Sequence, residues 1–371
     1  LPELDLDACR GLGYADLATR VLGPLTGNSI PHDDFRQMMA DTYAAFDLTA
    51  VAPLKQIGAT DWLMELFHGP TLAFKDFALQ ALGRFFDRVL SDRGERVTIL
   101  GATSGDTGSA AIEGCRGRDA VDIFILYPLG RVSDVQRRQM TTPVEANVHA
   151  LAVEGDFDDC QAALKEMFAD DEFRDGVKLA AVNSINWARV LAQVVYYFTS
   201  AVALGAPDRK ISYSVPTGNF GDMFAGYVAK RMGLPIDRLV VATNQNDILH
   251  RTVDTGLHDK RGVTPSTSPS MDIQVSSNFE RLLFDLYDRE GAAIAQLMGE
   301  LNTNNGFALS QGALGRLKDE FDSARFSEEQ VSDLIAKYHT DAGQVLCPHT
   351  AIGVGGAEGI KGPVVALGTA H

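Results

Sequence analysis

From Arg96 onward, short β-rich runs alternate with helical runs, and this alternation restricts the fold more than any other feature. RVTILGA (96–102), DIFILY (122–127), VHALAVEG (148–155) and KLAAVN (178–183) predict strands, followed by SYSVP (212–216) and LVVATN (239–244). Between them, DTGSAAIEGC (106–115), SDVQRRQM (133–140), DDCQAALKEMF (158–168), the apolar run 185–204 and GDMFAGYVAKRM (221–232) predict helices. Strands that alternate with helices are joined by right-handed crossovers and build parallel sheet covered by helices. The fold class is therefore α/β. With 371 residues the chain can form two compact lobes. A helical leader, 14–25 and 32–46, comes before the alternation, and 278–290, 313–321 and 327–339 read as helices again. The polar stretch 256–278, rich in Ser, Thr and Pro, reads as a long functional loop.

Charge and composition remove several function classes. Lys and Arg total 33 against 49 acidic residues, a net charge of −16, and no basic stripe offers itself to a phosphate backbone, so no nucleic-acid partner is expected. No apolar run has the length of a membrane span. The 4 cysteines lie far apart and, with the 8 histidines, write no zinc signature, so no metal site is expected. Reduced thiols and the lack of a signal-like N-terminus fit a cytoplasmic protein.

Three strand-to-helix junctions carry groups suited to anions. In GATSGDTGSAA (101–111), Thr103, Ser104, Gly105, Asp106 and Thr107 stand where a parallel strand ends, the usual ligand side of such sheets. A helix N-terminus there favours a carboxylate, although Ser and Thr also serve as plain caps. In SVPTGNFGDMFAGY (214–227), Gly218 and Gly221 let the backbone N–H groups approach a small phosphate, or else simply permit a tight turn. No Gly-Lys-Ser/Thr follows, so this is not a nucleotide P-loop. In AVNSINWARVLAQ (181–193), Ser184, Asn186 and Arg189 open the long apolar helix, as anion donors or as a cap and an ion pair.

Lys75 gives these junctions a common purpose. It is the sole lysine between Lys55 and Lys165, and its neighbours Leu72, Ala73, Phe74, Phe77 and Ala78 are apolar. A charged amine in such company is costly unless it is paired or loses its charge; at a lobe edge it can also snorkel to solvent. Anion cradles, one desolvated lysine and no metal ligands together fit pyridoxal phosphate, whose aldehyde bonds a lysine amine and whose tail is an anion.

HGPTLAFKDFALQ, ATSGDTGSAA, GRVSDVQRRQM, AVNSINWARVLAQ, SVPTGNFGDMFAGY, SPSMDIQVSSNFERLLF, CPHTAIGV and LGTAH resemble, in this order, the threonine synthase family, in its bacterial and fungal branch. The likeness runs over essentially the whole chain. It implies a fold-type II pyridoxal-phosphate enzyme, similar to tryptophan synthase β, with two three-layer parallel-sheet lobes behind a helical N-terminal segment. The implied reaction is a β,γ-replacement that turns O-phospho-L-homoserine and water into L-threonine and phosphate.

By motif, the resemblance implies that Lys75 is the Schiff-base lysine and that Gly218, Asn219, Phe220, Gly221 and Asp222 surround the cofactor phosphate. It implies that the Thr369 hydroxyl meets the pyridine nitrogen. Thr103, Ser104, Gly105 and Thr107 resemble the loop for the substrate carboxylate, and Ser184, Asn186 and Arg189 are the candidates for the substrate phosphate. Asp106 departs from the Asn usual in this fold type and is a cofactor-side candidate without an assigned role. The expected division is a helical segment 1–50, a large cofactor lobe 51–105 plus 184–371, and a small lobe 106–183. The family's usual extent includes an N-terminal segment and residues beyond His371. The competing readings are a serine/threonine dehydratase-like lyase and a non-catalytic ligand-binding relative. The expected partner is a small molecule, the protein being a monomer or a homodimer.

Overall fold

The alternation resolves into two sheets. The computed structural model describes residues 1–27, 29–184 and 186–369. Its first strands are β1 (Leu54–Gln56), β2 (Asp61–Glu65), β3 (Val97–Ala102) and β4 (Val121–Pro128). There follow β5 (Val148–Val153), β6 (Leu179–Ala180), β7 (Ile211–Pro216) and β8 (Ile236–Thr243). The last are β9 (Leu257–Asp259), β10 (Gly306–Ala308), β11 (Phe321–Arg325) and β12 (Val364–Gly368).

The larger sheet has the order β1-β2-β12-β7-β8-β11 and is parallel except for β1 against β2. The smaller one, β5-β4-β3-β6, is parallel throughout. β9 and β10 form a separate antiparallel ladder. The central strands β7 and β12 are buried along their whole length, as near-continuous apolar strands must be when helices cover both faces. The described residues contain no helix long and apolar enough to cross a membrane.

Helix Asp76–Arg93 joins the two lobes. Phe77 belongs to the core of the larger lobe with Tyr196, Tyr213 and Phe220. Leu79, Leu82 and Leu90 on the same helix belong instead to the smaller core, with Ile99, Ile112 and Val121. Gly83 and Gly114 let this helix press its backbone against helix Asp106–Cys115, where a Cβ on either would overlap backbone atoms of the other. The leader helices Tyr14–Thr26 and His32–Tyr43 place Leu17, Val21, Phe35 and Met39 in the large core.

The expected boundary at residue 105 falls just after β3. β3 is hydrogen-bonded between β4 and β6, so Val97–Ala102 lies in the smaller sheet. The loop 103–105 is the turn from β3 into helix Asp106–Cys115.

Candidate active site

The turn after β7 is built to leave donors exposed. Thr217 N–H binds the Ala242 carbonyl at 3.0 Å, which fixes the turn to β8. The Thr217 hydroxyl donates to Asp222 Oδ1 at 2.8 Å and accepts from Phe220 N–H at 3.2 Å. Asp222 Oδ1 also accepts from Met223 N–H at 2.8 Å. Burial pushes the Asp222 carboxyl up, against these hydrogen bonds. Phe220 is held at φ +63, unusual for a residue with a side chain. Its ring is anchored 5.3 Å from that of Phe279, so the core maintains the turn. The N–H groups of Gly218, Asn219 and Gly221 find no protein acceptor among the described residues. A Cβ on Gly218 would come within 3.1 Å of Met271 Cα and of the Ser270 carbonyl.

Lys75 faces the same cavity. It stands just before helix Asp76–Arg93, is 9% exposed, and lines a cleft with Gly218, Asn219, Phe220, Gly221, Asp222, Ser184, Arg189 and Thr369. Its Nζ lies 2.5 Å from Asp106 Oδ2 and 4.7 Å from the Phe74 ring centroid. Asp106 Oδ2 also accepts from the Ser270 hydroxyl at 3.2 Å, while Oδ1 accepts from Thr107 N–H at 2.7 Å. Asp106 lines a second cleft with His68, Thr71, Ser109, Gln136 and Gln139. The Lys75–Asp106 pair therefore stands where the two clefts approach one another.

Arg189 is a buried cation without a salt bridge among the described residues. Its Nη1 donates to the Val182 carbonyl at 2.8 Å, its Nε has no partner, and no carboxylate pairs with it among the described residues. Burial pulls its pKa down to about 10, and the charge of Asp106 works the other way. Such a group at a cavity wall calls for an anionic ligand.

Not every expected residue reaches a cleft wall. Thr103 is buried and turned into its own loop, its hydroxyl accepting from Gly105 N–H at 3.0 Å and Gly108 N–H at 2.9 Å. Ser104 is exposed, Thr107 is half-buried, and Gly105 takes φ +146 with its α-face against Gln136. Asn186 caps helix Trp187–Ala203 by accepting from Ala188 N–H at 3.0 Å.

The cavity also contains Phe74, Gln193, Ser270, Met271 and His349, none of them singled out from the sequence. Gln193 had a signal, because it lies one helical turn after Arg189 and shares its face. Ser270 and His349 had none beyond their membership in SPSMDIQVSSN and CPHTAIGV.

Three donors of one turn, a buried guanidinium and a lysine amine in one cavity suit a ligand with a phosphate and an aldehyde, and pyridoxal phosphate fits. The comparisons agree. Residues 46–309 match the model of the pyridoxal-phosphate dependent enzymes. Threonine synthase of Pseudomonas aeruginosa is 56% identical over 365 residues, 97% of this chain and 78% of the relative. The chain belongs to the threonine synthase family. A crystal structure of pyridoxal-phosphate-bound threonine synthase from Brucella melitensis superposes with a TM-score of 0.98 at 55% identity, over 100% of this chain and 81% of that one. The yeast threonine synthase structure gives 0.93 at 39% identity, over 100% and 80%. Family membership makes the chain a fold-type II enzyme and pyridoxal phosphate its cofactor.

Proposed function

We propose that this threonine synthase family member converts O-phospho-L-homoserine and water into L-threonine and phosphate, with Lys75 as the lysine that bonds the cofactor. The observation that carries this reading is the placement of Lys75 Nζ in one cavity with the 217–222 turn and Arg189, whose Nε has no partner among the described residues. Bound pyridoxal phosphate supplies an aldehyde for an amine and a ring that withdraws electrons from the substrate Cα.

The chain's residues do the rest. Gly218, Asn219 and Gly221 N–H groups hold the cofactor phosphate, aided by the N-terminus of helix Gly221–Arg231. Phe220 and Asp222 keep that turn in shape, and Thr369, which follows β12 and lines the cavity, would offer its hydroxyl to the ring nitrogen. A neutral hydroxyl there leaves the ring less protonated than a carboxylate would. Ser104, Gly105 and Thr107, on the loop braced by Thr103, receive the substrate carboxylate. Arg189 and Ser184 receive its phosphate, while Asn186 caps the helix that carries Arg189. With the cofactor bound, the Lys75 amine would be the group placed to take the proton from the substrate Cα as a general base. Asp106, 2.5 Å away, then faces Lys75 as its counter-charge.

Arg189 favours this chemistry over a dehydratase-like lyase, since a substrate without a second anion has no use for a buried guanidinium. We place the two lobes at 51–96 plus 184–371 and 97–183. We also place the enzyme in the cytoplasm, where Cys9, Cys115, Cys160 and Cys347, all unpaired, stay reduced. The test is stoichiometric. Purified enzyme with O-phospho-L-homoserine should release one phosphate for each threonine formed, whereas phosphate without threonine would show plain elimination and refute the assignment.

A further inference from the structure

The 217–222 turn and the 184–189 junction are tied together by Ser277 and Asn278, neither of which lines the cavity. Asn278 is fully buried, and its backbone N–H and side-chain Nδ2 both donate to the Asn219 carbonyl, at 3.0 and 3.1 Å. The same Nδ2 donates to the Ser184 carbonyl at 3.0 Å. Its Oδ1 accepts from Arg281 Nε at 3.2 Å, and the Arg281 guanidinium lies 5.4 Å from the Trp187 ring centroid, at the start of the helix that carries Arg189. Beside it, the Ser277 hydroxyl bridges Ser184 Oγ at 2.8 Å and Asn219 Oδ1 at 3.2 Å.

This arrangement fixes one peptide plane from both ends. The carbonyl of Asn219 is held by Asn278, and the N–H of the same peptide, on Phe220, is held by Thr217. The unpaired N–H groups of Asn219 and Gly221 flank that plane, so their aim depends on it. Ser184, on the side expected to take the substrate phosphate, is held by the same two residues. Movement of either segment disturbs bonds to the other, because Ser277 and Asn278 are shared between them.

We infer that Ser277 and Asn278 are positioning residues that couple the cofactor-phosphate turn to the substrate-phosphate junction, so that the two anions gain or lose affinity together. This rests on the assignment of Ser184 and Arg189 to the substrate phosphate. A purely structural role would lower stability and leave both affinities in place.

The experiment uses two readouts on the full chain. Cofactor-free protein is titrated with pyridoxal phosphate by visible absorbance to give its Kd, and inorganic phosphate is titrated against threonine formation by the holoenzyme to give its inhibition constant. Asn278→Ala should raise both constants about tenfold, the change produced by about 1.4 kcal/mol. Ser277→Ala, at a half-buried position that threatens folding less, should raise both about threefold, and Ser277→Thr should restore them. Should Asn278→Ala fail to fold, the serine variants decide. A lowered melting temperature with both constants within about twofold of wild type would overturn the coupling, as would a change in one constant alone. A wild-type enzyme that forms no threonine would refute the functional reading instead, and the cofactor titration would still decide whether Asn278 and Ser277 orient the turn.

Discussion

Asp76 stands next to Lys75 and shows how burial sets charge at this site. Thr71 gives its N–H and hydroxyl to the two carboxylate oxygens, at 2.8 and 2.9 Å, which favours the anion. Burial outweighs this and raises the carboxyl from 3.8 to about 7. Between those values the folded chain holds a proton that the unfolded chain has lost, so this group's stabilisation is complete below 3.8 and fades as pH rises to about 7. Asn reproduces the protonated form, accepting from Thr71 N–H and donating to its hydroxyl. Urea denaturation should show Asp76→Asn gaining on wild type across that window, and a constant difference between the two would contradict it. For Arg189, truncation to Ala should lower kcat/KM for O-phospho-L-homoserine at least about 100-fold and abolish inhibition by inorganic phosphate, because a desolvated charge contact is removed. Unchanged phosphate inhibition would sink that assignment. Lys75 stood out as a charge in apolar company, and Arg189 through its place at the third strand-to-helix junction. Gln193, Ser270 and His349 were not, since nothing local separates a buried polar residue at a cavity wall from one that merely satisfies its neighbours.

Elements were legible where local pattern and tertiary demand coincide. The strands and helices between 97 and 243 fall close to the expected positions, because each apolar run is bounded by glycines or caps. Helix Pro348–Ala357 was not assigned, since Gly353, Gly355 and Gly356 argue against helix in solution. Packing reverses that preference. A Cβ on Gly353 would come 2.8 Å from Pro216, and one on Gly356 would come 2.6 Å from Ser214 Oγ, so only glycines let this helix lie directly on β7. β12 was read as part of a motif and not as a strand, yet it occupies the middle of the large sheet and delivers Thr369. The turn after β7 yields a test at this scale. In Gly218→Ala the new methyl group meets main-chain atoms at 3.1 Å, which cannot move as a side-chain end would. Cofactor affinity should drop about tenfold or more, for a strain of about 1–3 kcal/mol. Wild-type affinity in this variant would show that the turn does not hold the phosphate.

At the scale of the whole molecule, the site lies where the two lobes meet, and Lys75, Asp106 and Ser270 make the contact across them. An acidic chain, with net charge −16, holds anionic ligands only through such local donors. A cofactor gripped there stabilises the folded chain by linkage, by about 2.7 kcal/mol at about a hundredfold excess over Kd. Removing pyridoxal phosphate should therefore lower the melting temperature, and Lys75→Ala should reduce that difference while remaining folded. Equal melting temperatures with and without cofactor would contradict this. The alternation of strands and helices announced the two lobes, but the course of β3 through the smaller sheet depends on pairing between segments far apart in sequence, which no local pattern records. The central claim is that the amine of Lys75 bonds the cofactor. Its most direct test is borohydride reduction of the holoenzyme followed by proteolysis and mass spectrometry. The pyridoxyl mass is expected on the peptide that carries Lys75 and on no other; a label on a different lysine, or none, would contradict the account.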